Sequence, residues 1–269
     1  MASEQFAPAT HTVTPAHVLA PPPPTELCFQ ATRPVRTADV DSAYRLRLDG
    51  LARYLQDIGS DNLAAFGFDR TDPLWVVRRT VIDVLRPAVW PGRVHLRRWC
   101  SAHSTRWSAM RVQVTGDEGA LIETEGFWIN IGADTGLPAW ISDGLLENLA
   151  STTEEHRLRW KPWLSATPPS DDRDGQDDWD TPDRTFHLRT TDIDPFNHVN
   201  NATYWHAVEE CLADRPDLHE APYRAVVEHL SPVFPRDHVR LRTSADDASL
   251  SLWFLVEGDV RAVARVARL

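Results

Sequence analysis

The alternation of apolar and polar positions divides the chain into two stretches with the same plan. In the first, Leu51, Leu55, Ile58 and Leu63 recur at helical spacing, with Asp49 as candidate N-cap and Gly59 and Gly67 punctuating the end. Strand-like runs follow at 74–85, 93–100, 107–116 and 120–131, and "TGDEGA" predicts a hairpin turn between the last two. In the second stretch, Ala202, Trp205, Val208, Glu209 and Leu212 predict a helix capped by Asn200 or Asn201. Strands are then expected at 223–230, 238–243 and 249–269, the last folding back at Glu257-Gly258-Asp259. Each stretch thus reads as strand, loop, one helix, then strands. A helix with one apolar stripe beside an antiparallel meander predicts an α+β layer in which the stripe is buried on the sheet.

The two stretches also share letters. "RTADVD" (36–41) matches "RTTDID" (189–194), and Arg36 and Arg189 lie 153 positions apart. At that offset "YLQDI" (54–58) falls on "AVEEC" (207–211), inside the predicted helix of each half, which points to an internal duplication. Four segments follow: a disordered Pro-rich tail (1–33), a first half (34–164), an acidic linker (165–184) and a second half (185–269).

Composition narrows the function. The 269 residues carry a net charge of −11, which argues against nucleic acid as the main partner. No apolar run approaches the ~18 residues a membrane helix needs, and the N-terminus lacks the basic and apolar regions of a secretory signal. Three cysteines, Cys28, Cys100 and Cys211, have no paired or metal-like spacing, so free thiols in a reducing cytoplasm, no metal and no cofactor are expected. Arginines concentrate in 78–111, which predicts a basic face on an acidic protein.

The polar side chains crowd into "DIDPFNHVNN" (192–201). Pro195 keeps Asp194 extended, and Asn200 or Asn201 then opens a helix whose free N–H groups and positive dipole end lie beside Asp194 and His198. That setting suits a carbonyl to which water adds: the N–H groups stabilise the oxyanion, Asp194 steers the water, and His198 orients the carboxylate or protonates a leaving thiolate. Asn197 and Asn200 can contact substrate or fix the loop. Taken one at a time, these residues suit Asx-turns and caps better than catalysis, and Glu209 suits a solvated helix face; together they are too polar for capping alone.

"DIDPFNHVNNATYWHAVEE" resembles the active-site signature of hot-dog thioesterases, and the chain from about Pro34 onward is similar to the acyl-acyl carrier protein thioesterases of plants and bacteria. The similarity extends to "LARYLQDIGSDNLAAFGF" (51–68), "LWVVRRTVIDVLRPAVWPGRVHLRRWC" (74–100) and "GFWINIGADTGLPAWIS" (126–142). It implies a double (tandem) hot-dog, each half a long helix wrapped by an antiparallel sheet, that hydrolyses medium- or long-chain acyl-acyl carrier protein or acyl-CoA to free fatty acid. By that resemblance Asp194 and His198 are the catalytic pair, with Asn197, Asn200 and Glu210 as weaker members. Two departures from the family matter: Phe196 stands where an asparagine is expected, and Val233 and Phe234 stand where a strand supplies glutamate and often cysteine.

The acyl chain is expected in the first half, near Leu55, Ile58, Phe66, Phe68, Trp75 and Trp107. Arg78, Arg79, Arg97 and Arg98 are candidates for docking an acidic carrier protein. A monomer or a homodimer fits. A non-catalytic acyl-thioester binder, or a hot-dog enoyl-thioester hydratase or dehydratase, are the alternatives; the latter carry Asp-x-Asn-Pro-x-His, which "DIDPFNH" echoes with one extra residue.

Overall fold

The computed structural model describes residues 17–169 and 183–269. Ten antiparallel strands make one continuous sheet: β1 (Phe29–Pro34), β2 (Trp75–Arg86), β3 (Arg93–His103), β4 (Trp107–Gly116), β5 (Leu121–Asn130), β6 (Arg184–Phe186), β7 (Tyr223–His229), β8 (Val239–Ala245), β9 (Ser249–Val256) and β10 (Asp259–Arg268). Their spatial order is β1-β3-β4-β5-β2-β7-β10-β9-β8-β6. Read outward from the β2–β7 junction, each half presents its strands in the same sequence. Three α-helices are present among the described residues: α1 (Leu48–Ala65), α2 (Asp143–Ala150) and α3 (Asn201–Leu212).

The junction joins the halves. Residues 79–84 of β2 pair with 223–228 of β7. Val81, Ile82, Ala225 and Val227 there are fully buried, because both faces of the central strands are covered, so these strands read as apolar runs rather than alternations. Two buried ion pairs flank the apolar centre. Arg79 Nη1 meets Glu228 Oε1 at 3.1 Å, and Arg224 clasps Asp83 through Nε and Nη2 at 2.6 and 2.7 Å. Each half contributes an arginine and, four residues later, an acid, and each arginine meets the other half's acid, the reciprocity of a two-fold interface. Segment 161–165 covers the outer face: Trp163 N and Leu164 N donate to Glu228, and Trp163 stacks on His17 at 3.9 Å.

On the other face α1 and α3 pack against each other and on the sheet within one core. Leu48, Leu51, Ala52 and Ile58 form the buried stripe of α1. Asp49 is not its cap, as the sequence suggested. The helix begins one residue earlier, at Leu48, and Asp49 lies buried inside the first turn, bound by Arg47, Arg53 and His206 of α3. Burial alone would raise its pKa, but the hydrogen bonds from His206, Arg47 and Arg53 hold it well below the usual carboxylate range. Asn200 does cap α3, its Oδ1 accepting from Ala202 N at 2.9 Å.

Three expectations change. The tail ends earlier than residue 33, because Phe29–Pro34 pair with Arg93–Arg98 of β3; residues 1–16 lie outside the described residues. Likewise 170–182 of the expected linker lie outside them, and β6 already begins at Arg184. The strands-only reading of the first half also passed over α2. Ser142 caps it, and its Leu145 and Leu149 seal a second apolar cluster with Cys100, Met110 and Ile141. All three cysteines are buried and unpaired, and no described helix is long and apolar enough to cross a membrane.

Candidate active site

The loop before α3 is held by its own backbone and by one carboxylate. Ile193 bridges Val199, Asp194 N donates to His198 O at 2.8 Å, and Asn200 N donates to Asp192 O at 2.8 Å. Asp194 Oδ1 accepts from Phe196 N (2.9 Å) and His198 N (3.1 Å), an Asx-turn that leaves Oδ2 uncommitted. Asn197 takes the left-handed position of the turn, φ 60°. Val199 N is anchored on Val233 O at 2.9 Å. Buried Asp192 is structural, its carboxylate clamped by Arg189.

The loop before α1 has the same backbone. Val40 bridges Leu46, Asp41 N donates to Arg45 O at 2.9 Å, Asp41 Oδ1 accepts from Ala43 N and Arg45 N, and Tyr44 has φ 63°. The side chains differ. Arg45 stands in the place of His198 and is bound to Asp41 and His219, while Arg47 stands in the place of Asn200 and is bound to Asp49. The helices also exchange side chains: Gln56 of α1 donates to Asn201 Oδ1 at 2.7 Å, and its counterpart Glu209 of α3 accepts from Leu48 N at 2.6 Å. Glu209 is therefore no solvated residue. Burial chiefly pushes its pKa up to about 7.

A cavity of about 630 Å³ lies between the halves. The second half lines it with Asp194, His198, Asn200, Asn201, Tyr204 and His229. The first half supplies Leu63, Phe68, Trp75, Met110, Trp128 and Leu149 among its apolar wall. Among the described residues His198 makes no side-chain hydrogen bond; its ring meets Phe234 edge-on, centroids 5.1 Å apart. Contrary to expectation, its backbone N–H, not its imidazole, holds Asp194. Asn200 spends Oδ1 on the cap and leaves its Nδ2 donors free. His229, pushed down to about 4 by burial and then by Arg78, is a neutral imidazole whose Nε2 is buried without a partner.

The structure brings together Asp194, His198 and Asn200 but not Asn197 or Glu210, which are exposed and off the cavity. Of the apolar candidates, Phe68 and Trp75 line the cavity, whereas Leu55 borders only a small pocket beneath α1 and Ile58 is plain core. Phe66 is exposed past the end of α1. Trp107 faces the opposite side of β4 from Ser108 and Met110 and packs on Phe127. The arginines do not form one surface. Arg79 is buried in the junction, Arg98 lines the cavity, Arg78 donates to Leu230 O beneath Trp160, and Arg97 binds Thr25 and Gln113. Gln56, Tyr204 and His229 were not foreseen. Only Gln56 left a signal, its alignment with Glu209 at the 153-residue offset.

Comparison with known proteins agrees with this arrangement. The profile of the acyl-ACP thioesterase N-terminal domain matches residues 26–149, and that of the C-terminal domain matches residues 176–259. An uncharacterized protein of Mycobacterium tuberculosis is 47% identical over 233 residues, 87% of this chain and 89% of its own length. An acyl-ACP thioesterase from Bacteroides thetaiotaomicron shares the fold with a TM-score of 0.72 at 16% identity, over 90% of this chain and 98% of that one. The 12:0-ACP thioesterase from Umbellularia californica does so with a TM-score of 0.67 at 17% identity, over 90% and 96%. With both domain profiles matched in order across one continuous sheet, the chain belongs to the acyl-ACP thioesterase family and is a thioester hydrolase.

Proposed function

We propose that this chain is a tandem hot-dog that hydrolyses medium- or long-chain acyl-acyl carrier protein in the cytoplasm, ending fatty acid synthesis, with Asp194 and His198 as its catalytic pair. The observation that supports this reading is the meeting of one uncommitted carboxylate oxygen, one free imidazole and the start of α3 on a cavity with an apolar far wall. In this reading the thioester carbonyl sits at the start of α3. Asp194 Oδ2 steers water onto it and takes the water's proton as the new C–O bond forms, and the Asn200 amide N–H and the helix dipole stabilise the oxyanion. The intermediate collapses by breaking the C–S bond, and His198 gives a proton to the departing thiolate. Gln56 positions Asn201 from the first half. The acyl chain runs along Phe68, Trp75, Met110 and Trp128, and Arg78 and Arg97 are left as the docking candidates for an acidic carrier.

Val233 and Phe234, where the family places a carboxylate, favour a second reading as an acyl-thioester binder. Thiol release from acyl carrier protein and coenzyme A thioesters of matched chain length separates the readings. Hydrolysis that is faster from the carrier protein supports the first. Tight binding without thiol release supports the binder, and a change in enoyl absorbance supports a hydratase.

A further inference from the structure

Arg98 leaves β3 and reaches α1, where its Nη1 donates to Asn62 Oδ1. A Cβ on Gly59, one turn earlier, would lie 3.9 Å from its Nη2. The side chain lines the large cavity and the small pocket beneath α1. Buried arginines elsewhere in the protein meet carboxylates: Arg79 meets Glu228, Arg111 meets Glu123 and Arg224 meets Asp83. Arg98 meets none among the described residues, and its Nε and Nη2 donors are left without a protein partner. Burial brings its pKa down to about 10, so it is still a cation at neutral pH.

Arg98 is half-buried, and taking a charge partly out of water without a counter-charge costs stability. Its presence in a cavity wall is accounted for when a ligand brings the missing acceptor. The surroundings agree. Gln56, Ser60, Asn62, Ser108 and Asn148 line the same cavity, so Arg98 stands on a polar stretch of wall, unlike the apolar stretch of Phe68, Trp75, Met110 and Trp128. Position agrees as well. Gln56 touches Asn201 beside the Asp194 loop, and the rise of α1 puts Asn62 about 9 Å farther along the helix.

We propose that Arg98 selects acyl thioesters whose chain carries an oxygen acceptor several carbons from the thioester carbonyl, a carboxylate above all. This rests on the hydrolase reading of Asp194 and His198. Nε and Nη2 form the side-on fork that a carboxylate engages with two parallel bonds, whereas a hydroxyl or keto oxygen engages one.

The test measures thiol release by the full chain from coenzyme A thioesters, hexanoyl to dodecanoyl, in plain, ω-hydroxy and ω-carboxy forms. At the best-fitting length, wild type is expected to favour the carboxylated chain over the plain one by about 10–100-fold in kcat/KM, the size of one charge-assisted interaction. The hydroxylated chain should fall between. Arg98→Met should bring the ratio near one by raising KM for the carboxylated chain, and Arg98→Lys should retain part of it. Plain chains hydrolysed as fast as carboxylated ones at every length, or a ratio unchanged in Arg98→Met, would overturn the assignment. Should Arg98→Met fail to fold, the wild-type ratio alone decides. No thiol release from any thioester would overturn the hydrolase reading and this assignment with it.

Discussion

Asp194 divides its work between two oxygens. Oδ1 holds the loop through Phe196 N and His198 N, and Oδ2 is the one free to meet water. Asp194→Asn keeps the first acceptor and removes the base. It is expected to leave the thermal midpoint near wild type while lowering kcat about 10²–10⁴-fold. Asp194→Ala loses both and should also cost about 1 kcal/mol by denaturant titration, as a lost cap does. Glu209 carries a pH signature. Burial raises its pKa from 4.5 to about 7, so the fold favours its protonated form. Its share of stability is full below 4.5, is lost as pH rises through 7, and is constant above that. Denaturant midpoints taken from pH 4.5 to 7.5 should show that decline in wild type and a flatter profile in Glu209→Gln, which still accepts from Leu48 N. At this scale the sequence singled out Asp194, His198 and Asn200, which line one cavity, because a cap alone requires only one such residue. It concealed Glu209 and Gln56, whose partners lie across the α1–α3 contact, and it placed Arg98 outside because nothing local says which face of β3 meets a helix.

The strands were legible from period-two patterning and their turns from Gly and Asp, so most expected runs lie within a few residues of the observed elements. The side that each strand turns to the cavity was not legible. Trp107 and Trp128 look alike in sequence, yet Trp128 lines the cavity while Trp107 packs behind the sheet on Phe127. A glycine explains the placement of Trp128. A Cβ on Gly126, two residues earlier on the same face of β5, would collide with the Trp128 indole nitrogen. Gly126→Ala is therefore expected to displace the indole toward the cavity, cost about 1–3 kcal/mol in denaturant titrations and shift tryptophan emission. The short helix α2 escaped notice because its pattern, Leu145, Leu146 and Leu149 after Ser142, spans barely two turns and follows a turn-rich exit from β5.

Across the whole molecule the β2–β7 junction makes one body of two halves, and its ion pairs give a direct test of that union. Asp83→Leu strands Arg224 in a buried site and should cost about 3–5 kcal/mol in equilibrium unfolding, whereas Asp83→Leu with Arg224→Met should recover most of the loss. The sequence showed the repeated plan through "RTADVD" and "RTTDID", and the structure gives those stretches the same turn. What it withheld was the divergence in side chains that follows each turn. With Arg45 and Arg47 tied down by Asp41 and Asp49, the first loop has become a strut, while among the described residues the second keeps its imidazole and the Nδ2 donors of its amide unoccupied. On the proposed assignment of the active site to the second loop, a chain of 30.4 kDa offers a single turnover centre despite its repeated plan. A tight-binding thioester analogue should titrate activity to zero at one equivalent per chain, and velocity should follow a simple hyperbola in substrate.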